Sequence, residues 1–353
     1  MMILNVFKVF GLAAFTFFLA FFLTPFFTHY LYKYKLWKKS SRSDATNPVT
    51  DEFRKIHNHG EEASTPRIGG VLIWGSVVLV SGLVWIVSKL FPAELALKIN
   101  FLSQNQTWLP LAVLIVASII GLVDDFFQIF SSRKGDFSPE GLPRRIRILS
   151  VLIIGVLCGL WFFLKLDMNS INIPFWGEIG LGWLFVPFFS VAMFVVFSGG
   201  VIDGIDGLAG GLMVSVFSAY AGIAFFQNQI DIAAFCAVVA GGILAFLWYN
   251  IPPARFYMGE TGMFGLTAAL TVVAFLTKSV AILPIIAFPF FIASASAFIQ
   301  MMSKKYFGRK IFKIAPIHYH FMALGWPSHK VTMRFWVIGV IFAVIGMVIA
   351  LIG

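Results

Sequence analysis

Ten long apolar stretches run through this chain of 353 residues, and they constrain its fold more than any other feature. A helix needs about 20 mostly apolar residues to cross a bilayer. The stretches that approach or exceed this length are 5–29, 68–90, 108–130, 147–166, 181–202, 211–226, 231–249, 263–280, 283–303 and 333–352. Charged residues make up only 12% of the chain, about half their share in soluble domains. We therefore predict an all-α polytopic membrane protein with about ten transmembrane helices, and not a soluble enzyme or a disordered chain.

The basic residues fall on one alternating set of loops. Of the 26 Lys and Arg residues, 21 lie in segments 31–67, 131–147 and 304–334 or at Arg255. Basic residues gather in cytoplasmic loops, so this set is predicted to face the cytoplasm and both termini to face outside. The net charge of +10 is then a consequence of membrane topology. It does not imply nucleic acid as a partner.

The polar segments are too short to form a separate soluble domain. We predict one integral-membrane domain over residues 1–353, with cytoplasmic loops at residues 31–67, 131–147, 203–210, 250–262 and 304–332. The outer segment 167–180 alternates and turns like a short hairpin. Two prolines in the ninth span, Pro284 and Pro289, predict a bend or a break there.

Five of the 16 acidic residues are predicted to stand at the cytoplasmic membrane boundary. Asp124 and Asp125 lie inside the third apolar run, Asp203 and Asp206 follow the fifth, and Glu260 precedes the eighth. A carboxylate near hydrocarbon is costly without a partner, so such an acid is a candidate functional residue by default. We therefore place the candidate active site at the cytoplasmic face.

The chemistry of this acidic group favours a hard cation. Adjacent carboxylates repel unless a cation or a shared proton compensates, and oxygen ligands combined with substrate phosphates suit Mg²⁺. The glycine-rich segments DGIDGLAGG and GETG would expose helix N-terminal amides to an anion. The alternative is that the acids form helix-end ion pairs with Arg144, Arg145 or Arg255.

Two histidines stand close together in the last cytoplasmic loop. The segment APIHYHF places His318 and His320 on either side of Tyr319. Residues at i and i+2 do not share a helix face, which favours a turn or an extended segment. We interpret the pair as groups for phosphate contact or proton handling, and the alternative is a belt of interfacial aromatic and histidine side chains.

Several motifs together carry a family resemblance. They are TPRIGG, the Asp124–Asp125 pair, DGIDGLAGG, YNIPPARFYMGETG, IFKIAPIHYHFMALGWP and VTMRFW. Over nearly its full length the chain resembles the polyprenyl-phosphate N-acetylhexosamine-1-phosphate transferases. It is most similar to the branch that transfers phospho-N-acetylmuramoyl-pentapeptide, because the last two motifs separate that branch from the related GlcNAc-phosphate transferases.

The resemblance implies a reaction and its setting. In that branch, a Mg²⁺-dependent enzyme at the inner face of the bacterial plasma membrane uses UDP-MurNAc-pentapeptide. It moves phospho-MurNAc-pentapeptide to undecaprenyl phosphate, which gives lipid I and UMP. The resemblance also implies a homodimer with ten spans in the lipid bilayer.

The resemblance further assigns roles to residues of this sequence. Asp124, Asp125 and His318 correspond to catalytic residues, and Glu260 with Asp125 corresponds to the metal ligands. The positions that correspond to substrate contacts are Asp203, Gly204, Asp206, Asn250, Tyr257, Gly259, Thr65, Arg67, Tyr319 and His320.

The sequence departs from the family pattern at several of these positions. Glu260 stands where the family has an aspartate, and Gln128 where it has a basic residue. Further departures are Glu62, Arg67, Phe197, Gly200, Met263 and Tyr319. Arg67 is similar to the GlcNAc-phosphate branch. Two alternatives therefore stay open: a related transferase that uses another UDP-N-acetylhexosamine such as UDP-GlcNAc, and a non-catalytic or transport relative.

Overall fold

The computed structural model describes residues 2–37, 64–102, 105–130 and 141–353. Most of the predicted loop 31–67 and part of the predicted loop 131–147 therefore lie outside the described residues. So does Glu62, together with two further histidines of loop 31–67, His57 and His59.

Helices account for nearly all regular structure in the described residues. The longest, α1 (Met2–Lys33), contains a π-helical turn at Phe7–Gly11. The other helices are α2 (Gly70–Leu90), α3 (Glu94–Ile99), α4 (Asn105–Phe130), α5 (Arg144–Lys165), α6 (Phe185–Ser198), α7 (Leu208–Phe226), α8 (Ile230–Asn250), α9 (Gly259–Leu276), α10 (Leu283–Ile286), α11 (Phe288–Phe307), α12 (Ile317–Ala323) and α13 (Ser328–Ile352).

The helices confirm the predicted polytopic architecture. Within the described ranges, nine helices are long and apolar enough to cross a membrane, and a bent pair makes a possible tenth span. That pair is Val280–Ile286 and α11, which meet at 83°. Pro284 stands in the first turn of α10, just before the break, and Pro289 stands in the first turn of α11, which follows it. Proline has no N–H to give to a preceding turn, so it begins a helix more readily than it continues one.

The helix α9 lies at the centre of the bundle. Nearly every side chain of α9 is buried, and α7 and α8 are also mostly buried. By contrast, α1, α5 and α13 leave long apolar faces exposed, as helices against lipid do. Thr261 of α9 donates a hydrogen bond to the Ser118 carbonyl of α4 at 3.0 Å and accepts one from the Trp74 indole of α2 at 3.2 Å.

The end of the bundle predicted to face outside carries a hairpin and a partly buried ion pair. Strands β1 (Ser170–Ile173) and β2 (Gly177–Gly180) pair antiparallel, which confirms the predicted hairpin in 167–180. Lys8 of α1 donates hydrogen bonds to the Asp231 carboxylate of α8 and, at 3.1 Å, to the Asn100 carbonyl. We call Lys8 and Asp231 the outer ion pair.

Two segments differ from the sequence-based expectation. Helices α7 and α9 begin at Leu208 and Gly259, so they extend into the predicted loops 203–210 and 250–262. The expected turn or extended segment around His318 and His320 is wrong, because both residues lie on the short helix α12. A helix accommodates their spacing by directing the two side chains to different sides.

Candidate active site

The Asp125 carboxylate binds the beginning of α9. Its two oxygens accept hydrogen bonds from the backbone N–H groups of Glu260, at 3.1 Å, and Thr261, at 2.8 Å. The first N–H groups of a helix have no partner within the helix, and Met258, which precedes α9, provides no side-chain cap. Asp125, only 1% exposed, supplies that cap from α4. It also places its negative charge at the positive end of the α9 dipole.

Asp124, also 1% exposed, is held by three different groups. One carboxylate oxygen accepts a hydrogen bond from the Leu142 amide. The other accepts one from the Gln128 side chain at 2.9 Å and lies 3.9 Å from a guanidinium nitrogen of Arg147. Gln128 in turn accepts a hydrogen bond from Arg67 at 3.2 Å, so Asp124 is linked to two arginines.

Glu260 and Asp124 both interact with Arg147. The Glu260 carboxylate forms an ion pair with Arg147 at 3.1 Å, and the Glu260 side chain is 31% exposed. Arg67 interacts electrostatically with both Glu260 and Asp203. We call Asp124, Asp125, Asp203 and Glu260 the acidic cluster.

Asp203 and Gly259 join the cluster through a backbone contact. The Gly259 N–H donates a hydrogen bond to the Asp203 carboxylate. Burial and the negative charge of Glu260 raise the pKa of Asp203 to about 7. Gly259 has φ of +72°, and a Cβ at this position would lie 2.2 Å from the Arg67 carbonyl and 2.6 Å from an Asp125 oxygen. Only glycine lets the chain approach the cluster this closely.

The short helix α12 brings His318 and Tyr319 to the loop that contains Asp203. The Tyr319 hydroxyl donates a hydrogen bond to the Gly204 carbonyl at 2.7 Å. An ideal Cβ at Gly204 would lie 2.3 Å from that hydroxyl and 3.2 Å from Nε2 of His318. His318 is fully buried. Any side chain at position 204 would therefore displace the histidine and tyrosine that pack there.

The structure gives other predicted site residues different surroundings. His320 accepts a hydrogen bond from the Lys313 amide at 3.2 Å and packs on Phe312. Asn250 is buried and links two loops, because it accepts from the Gly207 N–H at 3.0 Å and donates to the Phe256 carbonyl at 2.9 Å. This geometry favours a positioning role for Asn250 over direct substrate contact.

The remaining predicted residues lie in the segments beside the cluster. Asp206 accepts a hydrogen bond from the Ala254 amide at 3.0 Å. Tyr257 is half-buried, and its N–H donates to the Pro66 carbonyl at 2.7 Å. Thr65 is buried next to Pro66. The segment 64–70 thereby packs along 257–258, which carries Arg67 to the acidic cluster.

The carboxylates of the site provide suitable donors for magnesium. Across residues 2–37, 64–102, 105–130 and 141–353, no three His, Cys, Asp or Glu side chains form a complete metal-ligand group. Mg²⁺, however, is usually held by one or two carboxylates, with waters and substrate phosphates completing its octahedral shell. The partly exposed Glu260 and the neighbouring carboxylates provide hard oxygen donors of that kind. The residues present therefore fit a magnesium ion that a phosphate substrate would complete.

Sequence reasoning did not identify Arg147 as part of this site. The alternative of helix-end ion pairs named Arg144, Arg145 and Arg255 as partners of the acids. In the structure, Arg144 and Arg145 are exposed, and Arg255 stacks on the Tyr249 ring at 5.7 Å. Three arginines in one helical turn gave no signal to distinguish them. The pairing of Arg147 with Glu260 joins residues 113 positions apart in the chain.

Comparison with known proteins identifies the family. Residues 107–278 match the glycosyl transferase family 4 model. A phospho-N-acetylmuramoyl-pentapeptide-transferase of Listeria monocytogenes is 33% identical over 347 residues, which cover 95% of this chain and 97% of the relative. Transferases of the same name from Geobacillus thermodenitrificans and Chloroflexus aurantiacus are 32% and 31% identical, over 83% and 84% of this chain and 86% and 79% of the relatives. The chain therefore belongs to the phospho-N-acetylmuramoyl-pentapeptide-transferase family of glycosyl transferases.

Proposed function

We propose that this protein transfers phospho-MurNAc-pentapeptide from UDP-MurNAc-pentapeptide to undecaprenyl phosphate, which forms lipid I and releases UMP in peptidoglycan synthesis. The observation that carries the proposal is the acidic cluster at one end of the bundle, which adjoins His318 and Arg67 in a chain that matches these transferases over 95% of its length.

In the reaction, the sugar-linked phosphorus exchanges its bond to UMP for a bond to the lipid phosphate. An oxygen of the lipid phosphate attacks the sugar-linked phosphorus, a new P–O–P bond forms, and the bond to the UMP phosphate breaks. Asp124 is assigned the role of a base toward the lipid phosphate. His318, held beside Gly204, is assigned phosphate contact or proton transfer during departure of UMP.

The arginine near the cluster supports a phosphate substrate. Arg67 Nε is buried and has no hydrogen-bond acceptor among the described residues, and an unmatched buried donor is costly. A phosphate oxygen is a suitable acceptor for a guanidinium. Asp203, Gly204, Tyr257 and Gly259 are assigned to the UDP end of the substrate.

Magnesium is the cofactor that we propose for this reaction. Glu260, with Asp125 beside it, is assigned to hold the ion, which when bound would neutralise charge on the pyrophosphate. Asp125 orients the start of α9 and so places the Glu260 backbone. Bacterial relatives further support a location in the bacterial plasma membrane. A homodimer is proposed from the family resemblance, and the mass of the purified protein tests it.

The decisive experiment measures UMP release by the purified protein. UDP-MurNAc-pentapeptide and UDP-GlcNAc are supplied separately with undecaprenyl phosphate, each with Mg²⁺ and with a chelator. We expect release from UDP-MurNAc-pentapeptide only, and only with Mg²⁺. Release from UDP-GlcNAc alone would assign the chain to the related transferase branch, and no release from either would identify a non-catalytic relative.

A further inference from the structure

Arg147 occupies a specific position between two carboxylates of the acidic cluster. A guanidinium nitrogen lies 3.1 Å from Glu260 and 3.9 Å from Asp124, and the Arg147 side chain is 26% exposed. Asp124 belongs to α4, Glu260 to α9 and Arg147 to α5. This single cation therefore bridges acids that come from two other helices.

Helix stability does not explain an arginine at this position. Arg147 lies near the N-terminus of α5, where the helix dipole disfavours a positive charge. Arg144 and Arg145 share that disadvantage, and membrane topology accounts for all three as cytoplasmic charges. Only Arg147 turns toward the acidic cluster, while its two neighbours are exposed.

The contact with Glu260 creates a competition for one carboxylate. The oxygen that accepts the Arg147 hydrogen bond belongs to the residue proposed to hold Mg²⁺. A guanidinium and a divalent cation cannot both closely contact the same side of one carboxylate, because their charges repel. Binding of the ion must therefore displace or weaken the Arg147 contact.

We propose that Arg147 is a positioning residue that competes with the divalent cation for Glu260 and thereby sets the affinity of the site for that cation. The inference rests on the proposed function, because it takes Glu260 as the metal ligand. It assigns to Arg147 two effects of opposite sign: Arg147 holds Glu260 and Asp124 at a fixed spacing, and it weakens binding of the ion.

The test measures cation binding without substrate. The thermal unfolding temperature of the full-length protein in detergent is measured at increasing Mg²⁺ concentrations. A ligand that binds the folded state raises this temperature more as its concentration exceeds its dissociation constant. Mn²⁺ binding followed by electron paramagnetic resonance gives a second, direct dissociation constant. Neither measurement depends on catalytic turnover.

We expect Arg147→Gln to bind the cation about fivefold to tenfold more tightly, the scale of one lost ion-pair contact of modest strength. Arg147→Lys keeps the charge but lacks the planar, two-sided group that bridges two acids, so its affinity should lie between the two. Arg144→Gln is the matched control, because it removes the same charge from the same turn without changing a contact in the cluster. Its cation affinity should equal that of the wild type.

A double-mutant cycle then tests whether Glu260 is the group in competition. Glu260→Gln should weaken cation binding, and adding Arg147→Gln to that variant should produce little further change. If Arg147→Gln binds the cation no more tightly than the wild type, the inference is wrong although the metal site stands. If neither the wild type nor Arg147→Gln binds a divalent cation, the magnesium site of the proposed function is wrong.

Discussion

Buried carboxylates occur at both ends of the helix bundle, but their electrostatic surroundings differ. In the outer ion pair, Asp231 faces the ammonium group of Lys8, and the two side chains are 15% and 8% exposed. The acidic cluster places four carboxyl groups beside two guanidinium groups, those of Arg67 and Arg147, so its acidic groups outnumber its cations by two. A carboxylate matched one to one with a cation stabilises a fold, whereas a surplus of negative charge can attract a further cation.

The largest expected effect comes from Asp125→Asn. We expect turnover to fall by at least about 10³-fold, as when a preorganised electrostatic group is removed. The asparagine side chain has one oxygen acceptor where the carboxylate has two, so one backbone N–H of α9 loses its hydrogen-bond acceptor. The free energy of unfolding should therefore fall by about 1–3 kcal/mol. UMP release and thermal unfolding measure the two effects.

The matched control is Asp231→Asn, which should lower stability and leave the turnover of folded protein unchanged. A turnover of Asp125→Asn within threefold of the wild-type value would contradict the assignment of Asp125 to the active site.

Breaking the outer ion pair should affect stability alone. Lys8→Met leaves the Asp231 carboxylate without its ammonium partner, and removing one member of a buried pair lowers the free energy of unfolding by about 3–5 kcal/mol. Thermal unfolding in detergent measures this loss. The double variant Lys8→Met/Asp231→Leu should recover most of it. A Lys8→Met variant with lower turnover per folded molecule and unchanged stability would contradict the purely structural role of the outer ion pair.

A histidine substitution sharpens the comparison without removing a carboxylate. His318→Ala should lower turnover by about 10²-fold, the scale of one lost acid–base group. His329, exposed in the first turn of α13, is the control, and His329→Ala should behave like the wild type. UMP release measured for both variants decides the point. Equal losses would indicate that the loop acts only structurally.

The final expected effect is the pH dependence that Asp203 contributes to the free energy of unfolding. Because the folded state raises the pKa of Asp203 to about 7, its neutral form is favoured on folding. The free energy of unfolding should therefore fall as pH rises from about 4 to about 7. Thermal unfolding across this range should show a shallower decline for Asp203→Asn than for the wild type. Identical slopes would mean that Asp203 does not titrate in this range.

Sequence patterns predicted the membrane helices better than the contacts between them. A span needs only length and apolarity, so the helices, the break at Pro284 and Pro289, and the hairpin could all be predicted. The convergence of the carboxylates followed from topology, since alternate helix ends share one membrane face. Side-chain pairing did not follow, because Arg147 reaches Glu260 only through the packing of α5 against the rest of the bundle. The helical conformation of His318 was missed for a similar reason: a seven-residue helix has too little periodicity to predict.

The cap that Asp125 provides to α9 has a consequence for how such a protein evolves. A lineage that lost catalysis would still need this carboxylate, because the central helix of its fold begins there. Selection for folding would then preserve Asp125 long after selection for turnover had ended. Glu260 and Arg147 give the fold no comparable support, so they would drift first. Among distant relatives, an acidic residue at position 260 together with an arginine at position 147 is thus a better mark of a working enzyme than retention of Asp125.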